Sequence, residues 1–153
     1  MEEKRDAPAT TAHRTPEDLF RHGPRLLLDQ DFAAWVDLWD DQGVFEFPFA
    51  PEGRPRRLEG RSAVAASMRD YPHHIELHDV PHLTIHQTQA PGTIIAEMSA
   101  VGRLVATDEP FAMSYVAVVA VANGRIAHYR DYGNPLAVPA TTRTRTPSAL
   151  TAC

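Results

Sequence analysis

The feature that most constrains the fold is the run Asn123-Gly-Arg-Ile-Ala-His-Tyr-Arg-Asp-Tyr-Gly-Asn-Pro-Leu136. Asn-Gly accepts the positive φ angles of a tight turn, so between two β-rich runs it specifies a hairpin. The runs on either side, Phe111 to Ala122 and Arg125 to Tyr132, are therefore neighbouring antiparallel strands. The second carries one acid, Asp131, among aromatics and just before a Gly-Asn-Pro stop. An acid so placed is a candidate for chemistry.

Two more long strands precede the hairpin, Ile75 to Gln89 and Thr93 to Ala106, with turns at Ala90-Pro-Gly92 and Asp108-Glu-Pro110. The N-terminal half is mostly helical. Thr15 suits a helix cap, Pro16 the first helical position, and Glu17 and Asp18 the positive helix end. Leu19, Phe20, Gly23, Leu26 and Leu27 then fall on one face. Phe32, Trp35, Val36 and Trp39 make a second apolar stripe, which predicts a helix ending at Asp40-Asp-Gln-Gly43. Val44 to Phe49 alternates as a strand, Phe45, Phe47 and Phe49 on one side and Glu46 on the other, broken at Pro48. Arg57-Leu-Glu-Gly60 reads as a short returning strand. Arg61 to Tyr71 reads as a third helix with Val64, Met68 and Tyr71 aligned, stopped by Pro72. Such an order packs helices on one face of a curved antiparallel sheet.

At 153 residues the chain suits one domain, over residues 15–138. Residues 1–14 and 139–153 lack apolar periodicity and predict disordered tails. No apolar run approaches the roughly 20 residues that span a bilayer, and the N-terminus has no hydrophobic leader segment, which predicts a cytoplasmic protein without a membrane partner. The single cysteine, Cys153, supplies neither a disulfide framework nor a zinc thiolate cluster. Between Thr15 and Val138, 17 acids face 10 arginines, a balance of −7 that repels phosphate backbones and argues against nucleic acid. Arg54, Arg56, Arg57 and Arg61 crowd one loop, where pairing with neighbouring acids is the leading expectation and an anion-binding lid the other.

His78, His82 and His86 are spaced by four, as in a helical metal site. On a strand such residues stand about 13 Å apart, too far to share one ion. Ile75, Leu77, Leu83 and Ile85 hold the opposite register and belong to the core, so the histidines face outward and no metal is expected. No phosphate-binding loop, nucleotide fingerprint or nucleophile elbow is present, so no cofactor is expected and covalent catalysis is unsupported. What remains is acid and base chemistry in an apolar cavity. Asp131 shares its register with Ala127 and Tyr129, and the adjacent strand offers Met113, Tyr115, Ala117, Val119 and Val121 on one face. If both faces look inward, burial raises the Asp131 pKa and suits it to proton transfer. Alternatively Asp131 pairs with Arg130 or another arginine and only closes the sheet.

Several phrases carry a family resemblance. Gly43-Val-Phe-Glu-Phe-Pro48 is similar to the first strand of SnoaL-like proteins, and Leu58-Glu-Gly-Arg-Ser-Ala-Val64 to their lead-in to the third helix. Asn123-Gly-Arg-Ile126 followed by Arg130-Asp-Tyr-Gly-Asn-Pro135 resembles the phenazine biosynthesis A/B pattern. Over roughly residues 15–138 the chain thus resembles the nuclear transport factor 2-like superfamily. The resemblance implies an α+β cone-shaped barrel, a curved antiparallel sheet wrapped around three N-terminal helices, pairing through its sheet as a homodimer. It also implies a catalytic general acid at Asp131. Phenazine proteins use a histidine in the third helix where this chain has Ser67, and ketosteroid isomerase places its base where this chain has Phe47, so neither of those reactions carries over directly.

The expected activity is a cofactor-independent cyclase or isomerase acting on an apolar biosynthetic intermediate, polyketide or aromatic. Asp131 would donate or relay the proton, Tyr115 or Tyr129 would stabilise oxyanion character, and Phe45, Phe47, Phe49, Trp39, Met68 and Met113 would line the pocket. Epoxide opening is a variant that needs Glu46 beside Asp131 as a second polar group. A non-catalytic binding or dimerisation module is the rival from another class.

Overall fold

The computed structural model describes residues 15–137; both predicted tails lie outside the described residues. Helix α1 (Pro16–Leu28) starts as the sequence dictates, with the Thr15 hydroxyl accepting from the Asp18 amide. Such a cap stabilises by about 1 kcal/mol. Leu19, Phe20, Gly23, Leu26 and Leu27 form its buried face. A Cβ on Gly23 would lie 3.3 Å from the Trp35 ring, so this glycine sets how closely α1 approaches the next helix.

That next helix, α2 (Phe32–Val36), is shorter than its apolar stripe predicts. Trp39 instead opens strand β1 (Trp39–Glu46). Burial decides the matter without a helix: the Trp35 and Trp39 rings still meet in the core at 5.7 Å, across the change from helix to strand. β1 also stops earlier than expected, at Glu46. Phe45 and Phe47 remain on the inner side, whereas Phe49 lies past the Pro48 turn, 56 % exposed, with its ring edge-on to Tyr132 at 5.3 Å. Phe49 therefore does not line the interior as predicted.

β2 (Arg57–Glu59) returns antiparallel to β1, and α3 (Arg61–Asp70) follows, extended by a 3₁₀ turn over Tyr71–His73. The remaining strands are β3 (Ile75–Gln87), β4 (Thr93–Leu104), β5 (Pro110–Ala122) and β6 (Arg125–Gly133), within two residues of the predicted spans. Asn123 and Gly124, at φ 55° and 75°, make the expected β5–β6 turn.

The sheet order is β2-β1-β6-β5-β4-β3. All pairs are antiparallel except β1 with β6, which run parallel and slip register between Trp39 and Val44. The sheet is open, with β2 and β3 as edges, so the fold is an α+β cone rather than a closed barrel. Its inner face carries Ile94, Ala96, Met98, Met113, Tyr115, Val119 and Tyr129 against the helices. Under α1, between Leu19, Phe20, Trp35 and Tyr129, the remaining void is about 10 Å³, no more than one water fills.

The outer face carries the histidine register: His78, His82 and His86 are exposed, while Leu77, Leu83 and Ile85 pack inward. Two bulges between Leu77 and His82 do not reverse the pattern. His78 meets Glu76 and His86 meets Glu97, each pair separate from the other. Within the arginine loop, Arg57 and Arg61 pair with acids as expected. Arg57 bridges Glu46 and Glu59, Arg56 donates to the Pro48 carbonyl, and Arg61 holds Asp41 and the Trp39 carbonyl.

Candidate active site

Asp131 is 1 % exposed, the one charged residue of the described core. Strand alternation turns it inward with Tyr129, while His128 and Arg130 turn out. Opposite it on β5 is Ala117, and opposite Ala117 on β4 is Ala96. The rows on either side carry larger side chains, Tyr115 with Met98 and Tyr129 with Val119 and Ile94. Small residues therefore flank the acid across the sheet. The β1–β6 register pairs Phe45 with Tyr129 and Glu46 with Arg130, and the buried Phe47 that follows sets its ring 4.5 Å from that of Phe45, tilted by 40°.

Neither oxygen of Asp131 has a hydrogen-bond partner among the described residues. The predicted alternative, an ion pair with Arg130, is thus not formed there, because the two side chains lie on opposite faces of β6. Burial alone pushes the Asp131 carboxyl well above the ordinary aspartate value. An uncompensated carboxylate in an apolar interior costs several kcal/mol, so burial favours the protonated form of this group. A neutral carboxylic acid is a hydrogen-bond donor and a proton source.

Most of the other predicted residues surround this interior. Tyr115, two positions from Ala117, shares its face; Met113 and the Tyr115 ring crowd Gly133, where a Cβ would meet the Met113 methyl at 3.1 Å. Tyr129 is wedged among Trp39, Phe45 and Phe20, with ring centroids 5.8, 4.8 and 5.9 Å away. Trp39, Phe45, Phe47, Met68 and Met113 are all buried. Met68 also floors a groove of about 390 Å³ between α2 and α3, whose walls include Phe32, Val36, Ala65 and Pro72 and whose charged members are Asp37 and Arg69.

Glu46 departs from its candidate role as a second acid. It sits on the outer face, 2.5 Å from His128 Nε2 and 2.8 Å from Arg57 Nη1. The hydrogen bond from His128, followed by that from Arg57, outweighs partial burial and lowers the Glu46 pKa. The sheet separates this carboxylate from Asp131, so the two cannot act on one molecule. Two buried polar atoms escaped the sequence reading: Trp39 Nε1 and Ser67 Oγ, both without a hydrogen-bond partner among the described residues. The one available signal was the position of Ser67, three residues after Val64 on the inner stripe of α3. Among the described residues no three His, Cys, Asp or Glu side chains group to hold a metal ion, and no helix is long and apolar enough to cross a membrane.

Residues 21–129 match the SnoaL-like domain family. YesE of Bacillus subtilis, an uncharacterised protein, is 42 % identical over 112 residues, which are 73 % of this chain and 76 % of that protein. A PhzA/B-like protein of Pseudomonas aeruginosa is 34 % identical over 120 residues, 78 % of this chain and 84 % of its own. Among solved structures, a candidate isomerase from Bacillus subtilis superposes with TM-score 0.76 at 40 % identity, covering 78 % of this chain and 86 % of its own. A candidate polyketide cyclase from Pseudomonas putida superposes at 0.68 with 17 % identity, covering 81 % and 95 %. At that identity the likeness speaks of fold alone.

Proposed function

Since this chain belongs to the SnoaL-like domain family, we propose that it is a cofactor-independent enzyme that cyclises or isomerises a largely apolar small molecule, with Asp131 as general acid. The observation that carries the reading is a carboxyl group 1 % exposed whose oxygens have no partner among the described residues. Such a group is costly to keep unless it serves a ligand. Asp131 protonates a carbonyl or enol oxygen of the bound molecule as carbon–carbon bond formation or proton migration proceeds, and its conjugate base then recovers a proton from the product. Tyr115 shares this face and stabilises oxygen charge; Tyr129, enclosed by three aromatic rings, is the weaker applicant for that role. Phe45, Phe47, Trp39, Met68 and Met113 shape the cavity. An isomerase reading is supported by the 40 % identical Bacillus subtilis structure, and a polyketide or aromatic intermediate as substrate is the finer part of the proposal.

The test is Asp131→Asn, which keeps size and hydrogen-bonding capacity but removes the transferable proton. The variant folds and binds ligand while single-turnover rate falls by roughly 10²–10⁴-fold. Undiminished turnover would reject the assignment. Epoxide opening through Glu46 is not favoured, given the outward orientation of that residue. A bare binding module is the second reading, favoured if Asp131→Asn changes affinity alone.

The same proposal includes a homodimer through the outer sheet face. Val116 is 41 % exposed there, on the same side of the sheet as the half-buried Val118, Ala120, Ile95 and Val101, an apolar strip unusual for a solvated face. Light scattering should give a mass near twice the 17.0 kDa of one chain; a monomer mass at micromolar concentration would count against it.

A further inference from the structure

The segment from Phe32 to Leu38 has two faces. Trp35 and Leu38 turn into the core, 3 and 6 % exposed. Phe32, Ala33, Val36 and Asp37, at i, i+1, i+4 and i+5, hold the other side and border the groove of about 390 Å³ between α2 and α3. Its width follows from Ala33 on one helix and Ala65 on the other, where longer side chains would close it. The volume falls within the range of small-molecule sites. Met68, 1 % exposed, lies at the bottom, and it is the one residue that this groove shares with those assigned to the Asp131 interior.

Two charges border the opening, Asp37 and Arg69, both exposed. They do not pair with each other, and neither side chain has a hydrogen bond or ion pair among the described residues. Asp37 engages through its backbone alone, its amide donating to Ala33 and its carbonyl accepting from Arg125. Charges beside them on α3 are held: Asp70 by His74, and Arg61 by Asp41. An apolar anion entering the groove meets attraction at Arg69 and repulsion at Asp37, and an apolar cation meets the reverse, so one charge of either sign gains little. A molecule with both charges at one end of an apolar body uses both side chains. Phe32 offers a ring and Met68 a polarisable sulfur, surfaces that suit an aromatic body.

We propose that the α2–α3 groove is a second small-molecule site that takes an aromatic amino acid or a close zwitterionic analogue, Arg69 donating to its carboxylate and Asp37 accepting from its ammonium group. The site stands apart from the Asp131 reading and does not depend on it. The test titrates the full chain with L-phenylalanine, 3-phenylpropionate and phenethylamine, which carry both charges, the negative alone and the positive alone on one phenylalkyl skeleton, and follows the amide ¹H–¹⁵N resonances. L-Phenylalanine should bind about two- to fivefold more tightly than either analogue, the increment of one exposed charge contact, with shifts centred on Ala33, Val36 and Ala65. Arg69→Gln should bring L-phenylalanine down to the level of phenethylamine, and Asp37→Asn to that of 3-phenylpropionate. Both positions are exposed, so each variant should melt within about 2 °C of the unaltered chain. Ala65→Leu, which fills the groove, should abolish the shifts with all three probes, whereas Asp131→Asn should leave them unchanged.

L-Phenylalanine binding no more tightly than the better of its analogues would overturn the proposal, as would the absence of groove shifts with every probe. A preference that survives both charge substitutions would overturn the roles of Asp37 and Arg69. Binding that Ala65→Leu leaves intact would place the ligand elsewhere and reject the groove.

Discussion

Replacing Asp131 by Asn should change how stability depends on pH, and the sign follows from burial. An unfolded chain releases the Asp131 proton near pH 3.9. The folded chain holds it well above that value because the carboxyl is buried without a partner. Above the unfolded value, therefore, folding takes up one proton at this site, and stability falls as pH rises until the folded-state pKa is reached. The slope is about 1.36 kcal/mol per pH unit for one proton. For a domain of this size that is roughly 5 °C in melting temperature per unit. Asn has no titrating proton, and its buried amide contributes an offset that does not vary with pH. The variant should thus gain on the unaltered chain by roughly 5 °C per unit between pH 5 and the folded-state pKa, after which the difference levels off. Differential scanning calorimetry at half-unit steps from pH 5 to 8 reads it. A flat difference over this range would refute the buried neutral acid, because a carboxylate already ionised in both states, ion-paired or not, contributes no slope there.

Three further outcomes follow from other parts of the molecule. Glu46, whose pKa is lowered by its bonds to His128 and Arg57, stabilises the fold above its unfolded value and loses that contribution as pH falls through its folded value. Glu46→Gln should therefore cost no more than about 1 kcal/mol at neutral pH after solvent screening, less in acid, and leave turnover unchanged; thermal melts and rates together check it. Gly102→Ala would place a Cβ inside the van der Waals shell of the Glu76 carbonyl oxygen, backbone that has no freedom to move aside, so denaturant melts should show a loss of roughly 2–4 kcal/mol. Tyr115→Phe should lower turnover less than Asp131→Asn does, since it removes one stabilising contact rather than the transferable proton, and single-turnover rates rank the two.

Local chemistry made much of this fold legible. The Thr15 cap, the Asn123-Gly124 turn and the alternation of β3 to β6 each depend on neighbours a few residues away, and each formed as read. Trp39 was misassigned because a large apolar residue satisfies a helical stripe and a strand register alike, and only the pairing of Trp39 with Ile126, 87 positions on, separates them. That parallel pairing is non-local and leaves no trace in either segment. It also decides the site: joining β1 to β6 brings Phe45 against Tyr129 and sends Glu46 outward to His128. Phe49 kept the alternation on paper, but Pro48 ended the strand before it could count. Ser67 and Trp39 were visible as residues, while the missing partners of their polar atoms are a property of packing.

The central claim is that Asp131 is a neutral carboxylic acid held ready in an apolar interior. Its most direct test is the carboxyl ¹³C resonance of Asp131, assigned by comparison with Asp131→Asn and followed from pH 3 to 8. The account predicts a shift characteristic of the protonated acid at pH 6, where ordinary aspartates have long since ionised. A resonance that titrates near the ordinary aspartate value of about 3.9 would contradict it.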